Sequence, residues 1–438
     1  MDERTHEALS RTSRLINLQF FAGRADETAL SHALTTLTAR IACDKANTST
    51  ITGQHLIVTL ALLLARTGIS VELALPDTKL LSPQPPLTGD RLRTALTDSG
   101  AELVPGVRLG PDLGPPFISF VIGDTPHAGP RDALRLSGDE WGLQIGPASV
   151  AQGRRWTGRV PFGALACAAT AAAEVLRAAL PLLSDAVGAE LIAEAHRLTI
   201  DQPLALDLRE FFPALGSELR FGEIDAISGG AITNAALYVL RRTPGAHGKM
   251  RVIEAEALDL SNINRYMLAL RRHVGTAKTE MLESYAGGGI EVAGVPLRLE
   301  EPTIEEIGPL AHHVLVGVDY IPSRWLIQRE APGWVGVGST QSLDVLVSSH
   351  AQGEACAGCL HPREIDNDAV VPTISFVSFW AGLLLALELL CETTGHTSRA
   401  QAVFAWPFGY NGPHLMRLPV AVQHACPVGC EASQRKAA

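Results

Sequence analysis

Residues 223–278 begin EIDAISGGAITN (223–234), continue through AALYVLRR (235–242) and MRVIEAE (250–256), and close with DLSNINR (259–265) and GTAK (275–278). An apolar run enters a glycine pair, a helical segment follows, and a second apolar run ends in Glu254 and Glu256. Strand, glycine turn, helix and strand with acids at its tip is the nucleotide-binding half of a doubly wound sheet. The glycine signal alone is weak. Against G-x-G-x-x-G, the string Ser228-Gly229-Gly230-Ala231-Ile232-Thr233 keeps only the middle glycine, and a structural turn explains two glycines equally well. Glu254 is placed to accept hydrogen bonds from a ribose, or is a solvated strand end. To this point a dinucleotide dehydrogenase fits as well.

The polar string narrows the choice. Asn262, Arg265 and Lys278 are not part of a dehydrogenase fingerprint. A fixed arginine and lysine beside a glycine turn suit a polyphosphate, the first as a fork and the second as a point charge. Asp319 closes the apolar run HHVLVGVD (312–319) at the sheet edge where such folds place ligands. A carboxylate beside a polyphosphate serves most simply as a Mg²⁺ ligand; the alternative is a turn acid or helix cap.

These motifs together resemble the ThiF/MoeB/E1-type adenylating family, whose pattern is roughly D-x-D-x-V-[ED]-x-S-N-L-x-R followed by G-x-x-K. The matching positions are Glu254, Glu256, Asp259, Ser261, Asn262, Ile263, Arg265, Gly275 and Lys278, then Asp319 and Arg324 in VDYIPSR. The resemblance spans about residues 220–435. It implies ATP- and Mg²⁺-dependent activation of the C-terminal carboxylate of a small ubiquitin-like or sulfur-carrier protein, with thioester transfer as a possible later step. It assigns Ser228, Gly229, Gly230, Glu254 and Glu256 to the nucleotide, with Glu254 on the ribose. Asn262, Arg265 and Lys278 fall on the phosphates and Asp319 on the metal. In a conjugation pathway an E2-like conjugating enzyme would be a further partner. The chain departs from the pattern at Ser228 and Thr233, where glycines are usual, and at both acids, where Glu replaces Asp.

The rest of the chain extends the plan. The 438 residues suit two or three domains. Residues 1–38 look helical, with Arg11 and Arg14 three apart and able to share a face. Each is either a solvated helix arginine or the extra arginine this family draws from a sister domain. TARIACD (38–44), a long apolar helix ending at Thr67-Gly68, and ISVELAL (69–75) repeat the layout of 223–256 without its polar string. FISFVIGD (117–124) parallels HHVLVGVD, and an Ala-rich helix after Pro161 parallels FVSFWAGLLLALELL (376–390). Residues 81–115, rich in Pro and Gly, read as loop. The expected architecture is therefore α/β with two Rossmann-like doubly wound sheets. Residues 1–215 form a degenerate adenylation-like domain, and 216–438 an active one with a zinc-binding C-terminal part.

Cys356, Cys359, Cys426 and Cys430 offer four thiolates, the donor set of a closed structural zinc site; free thiols or redox pairs are the alternative. Cys43, Cys167 and Cys391 remain. Cys167 lies in an Ala-rich helix and reads as buried, and Cys391 reads as exposed after the apolar helix. HPREIDNDAVVPTIS (361–375), where relatives carry a catalytic cysteine, has none. Activation is thus better supported than thioester transfer. A net charge of −10 disfavours nucleic acid. The polar start MDERTHEALS is unlike a signal peptide, and the apolar runs, shorter than about 18 residues, read as buried helices instead of membrane spans. A cytoplasmic protein is expected. The competing readings are adenylation of a peptide or another carboxylate, an inactive partner-binding scaffold, and an NAD-dependent oxidoreductase.

Overall fold

A computed structural model describes residues 3–127, 133–192, 203–213, 215, 218–331, 333–364, 371–396, 400–409 and 412–430. The expected junction at 215/216 falls partly outside them, as do 365–370 of the cysteine-free stretch.

The first sheet contains β1 (Thr38–Ala42), β2 (Ser70–Ala74), β3 (Leu109–Gly110), β4 (Ile118–Ile122), β5 (Leu134–Gly138), β6 (Gly142–Pro147) and β7 (Leu204–Asp207). The second contains β8 (Leu219–Ile227), β9 (Ala246–Ile253), β10 (Ile290–Val295), β11 (His313–Val316), β12 (Trp334–Gln341), β13 (Asp344–His350), β14 (Gln401–Trp406) and β15 (His414–Pro419). Their orders are β3-β2-β1-β4-β5-β6-β7 and β10-β9-β8-β11-β12-β13-β14-β15. Each has five parallel strands followed by antiparallel ones. The sheets are therefore mixed, and their parallel parts keep the Rossmann-like order that was expected. The two orders are the same apart from the extra edge strand β15. In each, the chain crosses sides between the first strand and the fourth, β1/β4 and β8/β11, leaving a crevice at their carboxyl ends.

Helices occupy matching places. Ile51–Thr67 follows β1 as Ala231–Leu240 follows β8, and Phe162–Val187 precedes β7 as Ser375–Thr393 precedes β14. Thr50 caps the first of these by accepting from the Gly53 N–H, and Gly68, in the left-handed region at φ 98°, ends it. One continuous apolar core, from Ala8 to Ala405, joins both halves. A second cluster, including Val314, Val316, Leu326 and Ile327, covers the far face of the second sheet.

Three sequence expectations change. Residues 81–115 contain the helix Leu92–Gly100 and the edge strand β3; Leu92, Ala95 and Leu96 bury one face, a short period masked by the flanking prolines and glycines. The apolar helices exceed the expected length. Phe162–Val187 and Ser375–Thr393 are long and apolar enough to cross a membrane, yet 89% of each apolar window is buried within the chain, so both are core helices. Cys391 lies inside Ser375–Thr393 and is 1% exposed, because the helix continues past the apolar run.

Candidate nucleotide site

The glycine turn follows β8. Ser228 takes φ 85°, a conformation that suits glycine and strains a side chain. Its neighbours hold it there. The Ser228 hydroxyl accepts from the Gly230 N–H at 3.1 Å, and the Ser228 carbonyl accepts from the Thr233 hydroxyl at 2.6 Å. Asn234 donates to the Gly229 and Gly230 carbonyls at 2.9 and 3.0 Å. Glu254, just past β9, accepts from the Gly229 N–H at 3.0 Å and from the Glu256 N–H at 3.0 Å. The sequence suggested ribose binding or a solvated strand end for Glu254. It also braces the turn, and each carboxylate oxygen keeps lone-pair capacity.

The polar string forms a tight turn. Asp259 and Asn262 cap each other across the short helix Leu260–Asn262, with the Asp259 N–H donating to Asn262 Oδ1 at 3.0 Å. Arg265 follows, 6% exposed. Its guanidinium donates to the Ser261 carbonyl at 2.7 Å and to Asn264 Oδ1 at 2.8 Å. Lys278, 5% exposed, begins the helix Lys278–Glu283. It pairs with Glu256 and lies 3.8 Å from Glu254. The Tyr266 ring lies below both cations, 5.2 Å from the Arg265 guanidinium and 5.8 Å from the Lys278 ammonium.

A cavity of about 670 Å³ collects these groups, a size typical of small-molecule sites. Ser228, Gly230, Glu254, Glu256, Asn262, Arg265, Lys278 and Asp319 all line it. Gly229 is in the turn itself, where a Cβ would meet Lys278 at 3.1 Å. Arg11, from the first-half helix Glu3–Phe20, also lines the cavity and donates to the Val371 carbonyl at 3.3 Å. Arg14 is exposed and is not among the lining residues. Sequence reading missed Tyr266, Arg298 and the apolar liners Ile253 and Leu299, which no local pattern marks.

Arg265 and Arg11 carry the main electrostatic feature. Their bonded partners are carbonyl and amide oxygens. Among the described residues no carboxylate lies within ion-pair distance of either. Burial pushes Arg265 down to about 10, and the like charge of Arg11 adds to this; Tyr266 and Asp319 work in the other direction. Lys278 differs. Burial alone would lower it, but Tyr266, Glu254 and Glu256 hold it above its ordinary value. An enclosed guanidinium without a counter-ion is costly, and an anion entering the cavity relieves that cost.

Asp319 lies beyond the end of β11, exposed, in the loop before the helix Ile321–Glu330. Arg324 fixes that loop by donating to the Val318 carbonyl from two nitrogens, at 3.0 and 2.8 Å. An exposed carboxylate lining this cavity fits a Mg²⁺ that is otherwise held by phosphate oxygens and water. At the equivalent corner of the first half the carboxylate is exposed but already paired. There Asp124, after β4, accepts from Asn47 at 2.7 Å and from Arg155 at 3.0 Å.

Cys356, Cys359, Cys426 and Cys430 meet with all four sulfurs within 4.8 Å of one another. Three of the pairs lie at 3.8, 3.2 and 3.1 Å. A tetrahedral zinc with bonds of ~2.3 Å separates its sulfurs by about 3.8 Å, so this set fits a metal with no open position. The other thiols are enclosed. Burial raises Cys43 and Cys391 to about 12 and raises Cys167 further. None has the lowered pKa of a nucleophilic cysteine.

Residues 38–188 match the family model of the BilD N-terminal domain. Over 215 residues the chain is 30% identical to the uncharacterized protein y4jF of Sinorhizobium fredii (strain NBRC 101917 / NGR234), covering 46% of this chain and 39% of that protein. The chain thus spans about two fifths of that relative's length. Among solved structures, Escherichia coli MccB with ATP is similar at a TM-score of 0.40 and 16% identity, over 47% of this chain and 65% of that one. The microcin C7 biosynthetic enzyme MccB in complex with N-formylated MccA is similar at a TM-score of 0.41 and 15% identity, over 47% and 67%.

Proposed function

We propose that the chain uses ATP to adenylate the C-terminal carboxylate of a peptide or of a small protein's tail. A ubiquitin-like or sulfur-carrier protein is the finer candidate. The observation that carries this reading is the buried Arg265 and the half-buried Arg11, lining one cavity with Lys278 and Asp319, with no carboxylate within ion-pair distance of either guanidinium among the described residues. A polyphosphate supplies the missing charge. MccB, solved with ATP and with MccA, is a precedent for the peptide version.

In the reaction a carboxylate oxygen attacks the α-phosphorus of ATP. The new bond makes an acyl adenylate, and the bond to pyrophosphate breaks. The nucleophile is already ionised at neutral pH, so no general base is needed. The protein's task is to hold the tail in line and to offset negative charge on the phosphates. Arg265 and Lys278 do this from the second half and Arg11 from the first. Glu254 and the glycine turn hold the nucleoside. Asp319 would hold Mg²⁺, which when bound neutralises phosphate charge. The first half acts as a non-catalytic partner, consistent with the pairing of Asp124 to Asn47 and Arg155, and zinc in the four-cysteine site is structural. No enclosed thiol suits thioester formation, so the proposal ends at the adenylate.

The test is ATP–pyrophosphate exchange with a panel of peptides and small β-grasp proteins. Arg265→Ala and Asp319→Ala should each slow exchange by about 10²–10³-fold while the chain stays folded. Unchanged rates in both variants would remove the proposed roles.

A further inference from the structure

We propose that Arg66, in the first half, is a positioning residue for the loop that carries Arg265. This rests on the reading of the cavity as a phosphate site. Arg66 is the penultimate residue of the helix Ile51–Thr67 and is 0% exposed. Its guanidinium donates to the Ile263 carbonyl at 2.7 Å, the Met267 carbonyl at 3.0 Å and the Ala269 carbonyl at 2.8 Å. These anchors stand on both sides of Arg265 and Tyr266. A second link reaches the side chain itself. Asn264 donates to the Thr12 hydroxyl at 2.8 Å and accepts from Arg265 at 2.8 Å. The backbone and the guanidinium of Arg265 are therefore both fixed from the first half.

The chemistry explains why an arginine is present. A planar fork of five N–H donors can satisfy several carbonyls at fixed angles, whereas an ammonium is a point donor on a flexible stem. Elsewhere the two halves meet through apolar packing, through neutral pairs such as Thr59–Tyr238 and Thr67–Ser375, and through the buried Arg242 and Arg177, which each donate to one carbonyl across the interface, of Pro85 and Gly409. Arg66 differs from these arginines in placing three bonds from the first half on the carbonyls of one loop. One bond suffices for a staple between halves; three bonds on both sides of Arg265 fix the orientation in which the loop presents it.

The experiment uses the full chain with Arg66→Met and Arg66→Lys. Amide exchange of residues 263–269 should become at least about tenfold faster in Arg66→Met and be intermediate in Arg66→Lys, with other segments unchanged. ATP affinity should fall by about tenfold in Arg66→Met, adenosine affinity should hold within about twofold, and adding Arg66→Met to Arg265→Ala should cost little more. Unchanged exchange in both variants, or equal losses for ATP and adenosine that add to Arg265→Ala, would overturn the proposal. If Arg66→Met does not fold, Arg66→Lys carries both readouts. A wild type that binds ATP no better than adenosine would remove the phosphate reading, while the exchange result still decides whether Arg66 holds the loop.

Discussion

Ser228 shows how a single position can depart from a pattern and still keep its geometry. Its φ of 85° costs a non-glycine residue about 1–3 kcal/mol, and its hydroxyl recovers part of this through Gly230 and Glu254. Ser228→Gly removes both the strain and the bonds, so it should leave stability within about 1 kcal/mol of wild type. Ser228→Ala keeps the strain and loses the bonds. It should be the less stable of the two, by about 1 kcal/mol in urea unfolding; the opposite order would show that the strain at this φ is smaller than the entropy glycine loses on folding. The same contrast explains what could be read in advance. Asn262, Arg265 and Lys278 lie close together in sequence and were visible as a string. Arg11 was visible only as one of two equal choices, because α-helical spacing gives a face but not its neighbour. Tyr266 sits beside Arg265 in the chain, yet its place beneath both cations depends on where Lys278 returns. Arg66 gave no signal at all, since its partners are backbone carbonyls some 200 positions away.

Between elements, the four cysteines join two segments that no strand connects. Cys356 precedes and Cys359 lies in the short helix Ala357–Leu360, and the segment after β15 brings the second pair. Only a small apolar cluster around Ala355 and Ala400 supports this contact, so a metal should supply much of its stability. Elemental analysis should find one zinc per chain. Chelation, or Cys426→Ser with Cys430→Ser, should lower the unfolding temperature by several degrees and expose residues 420–430 to protease before the sheets open. Loss of metal without either change would make the site incidental. Cysteine spacing made this site legible before the fold. The helix Leu92–Gly100 was not, because its short buried face competes with a prolyl and glycyl context that reads as loop.

Across the whole molecule, one core runs through both halves, and the unfolding of either exposes the other. Calorimetry should therefore give a single transition in place of one for each sheet. Its pH dependence follows from enclosed histidines in both halves. Burial, with Arg242 adding to it, holds His55 well below its ordinary value. Burial holds His350 at about 4, and His313 and His361 at about 4 as well. Between pH 6.5 and about 4 the unfolded chain binds protons at these sites that the folded chain refuses. Their stabilising effect is full above the unfolded value and is lost as pH falls through the folded one. Each of the two fully enclosed residues, His55 and His350, contributes up to about 1.4 kcal/mol per pH unit. Glu388 has the opposite sign. Burial raises it to about 6 despite Arg417, so its contribution is present at low pH and fades as pH rises through that value. The histidines outnumber it, and urea unfolding should show stability falling from pH 6.5 toward 4.5. Glu388→Gln removes the opposing contribution and should steepen that fall. Stability that is flat or rising over this range would mean that the imidazoles gain protons without unfolding, and that water reaches a core which the packing here closes to it.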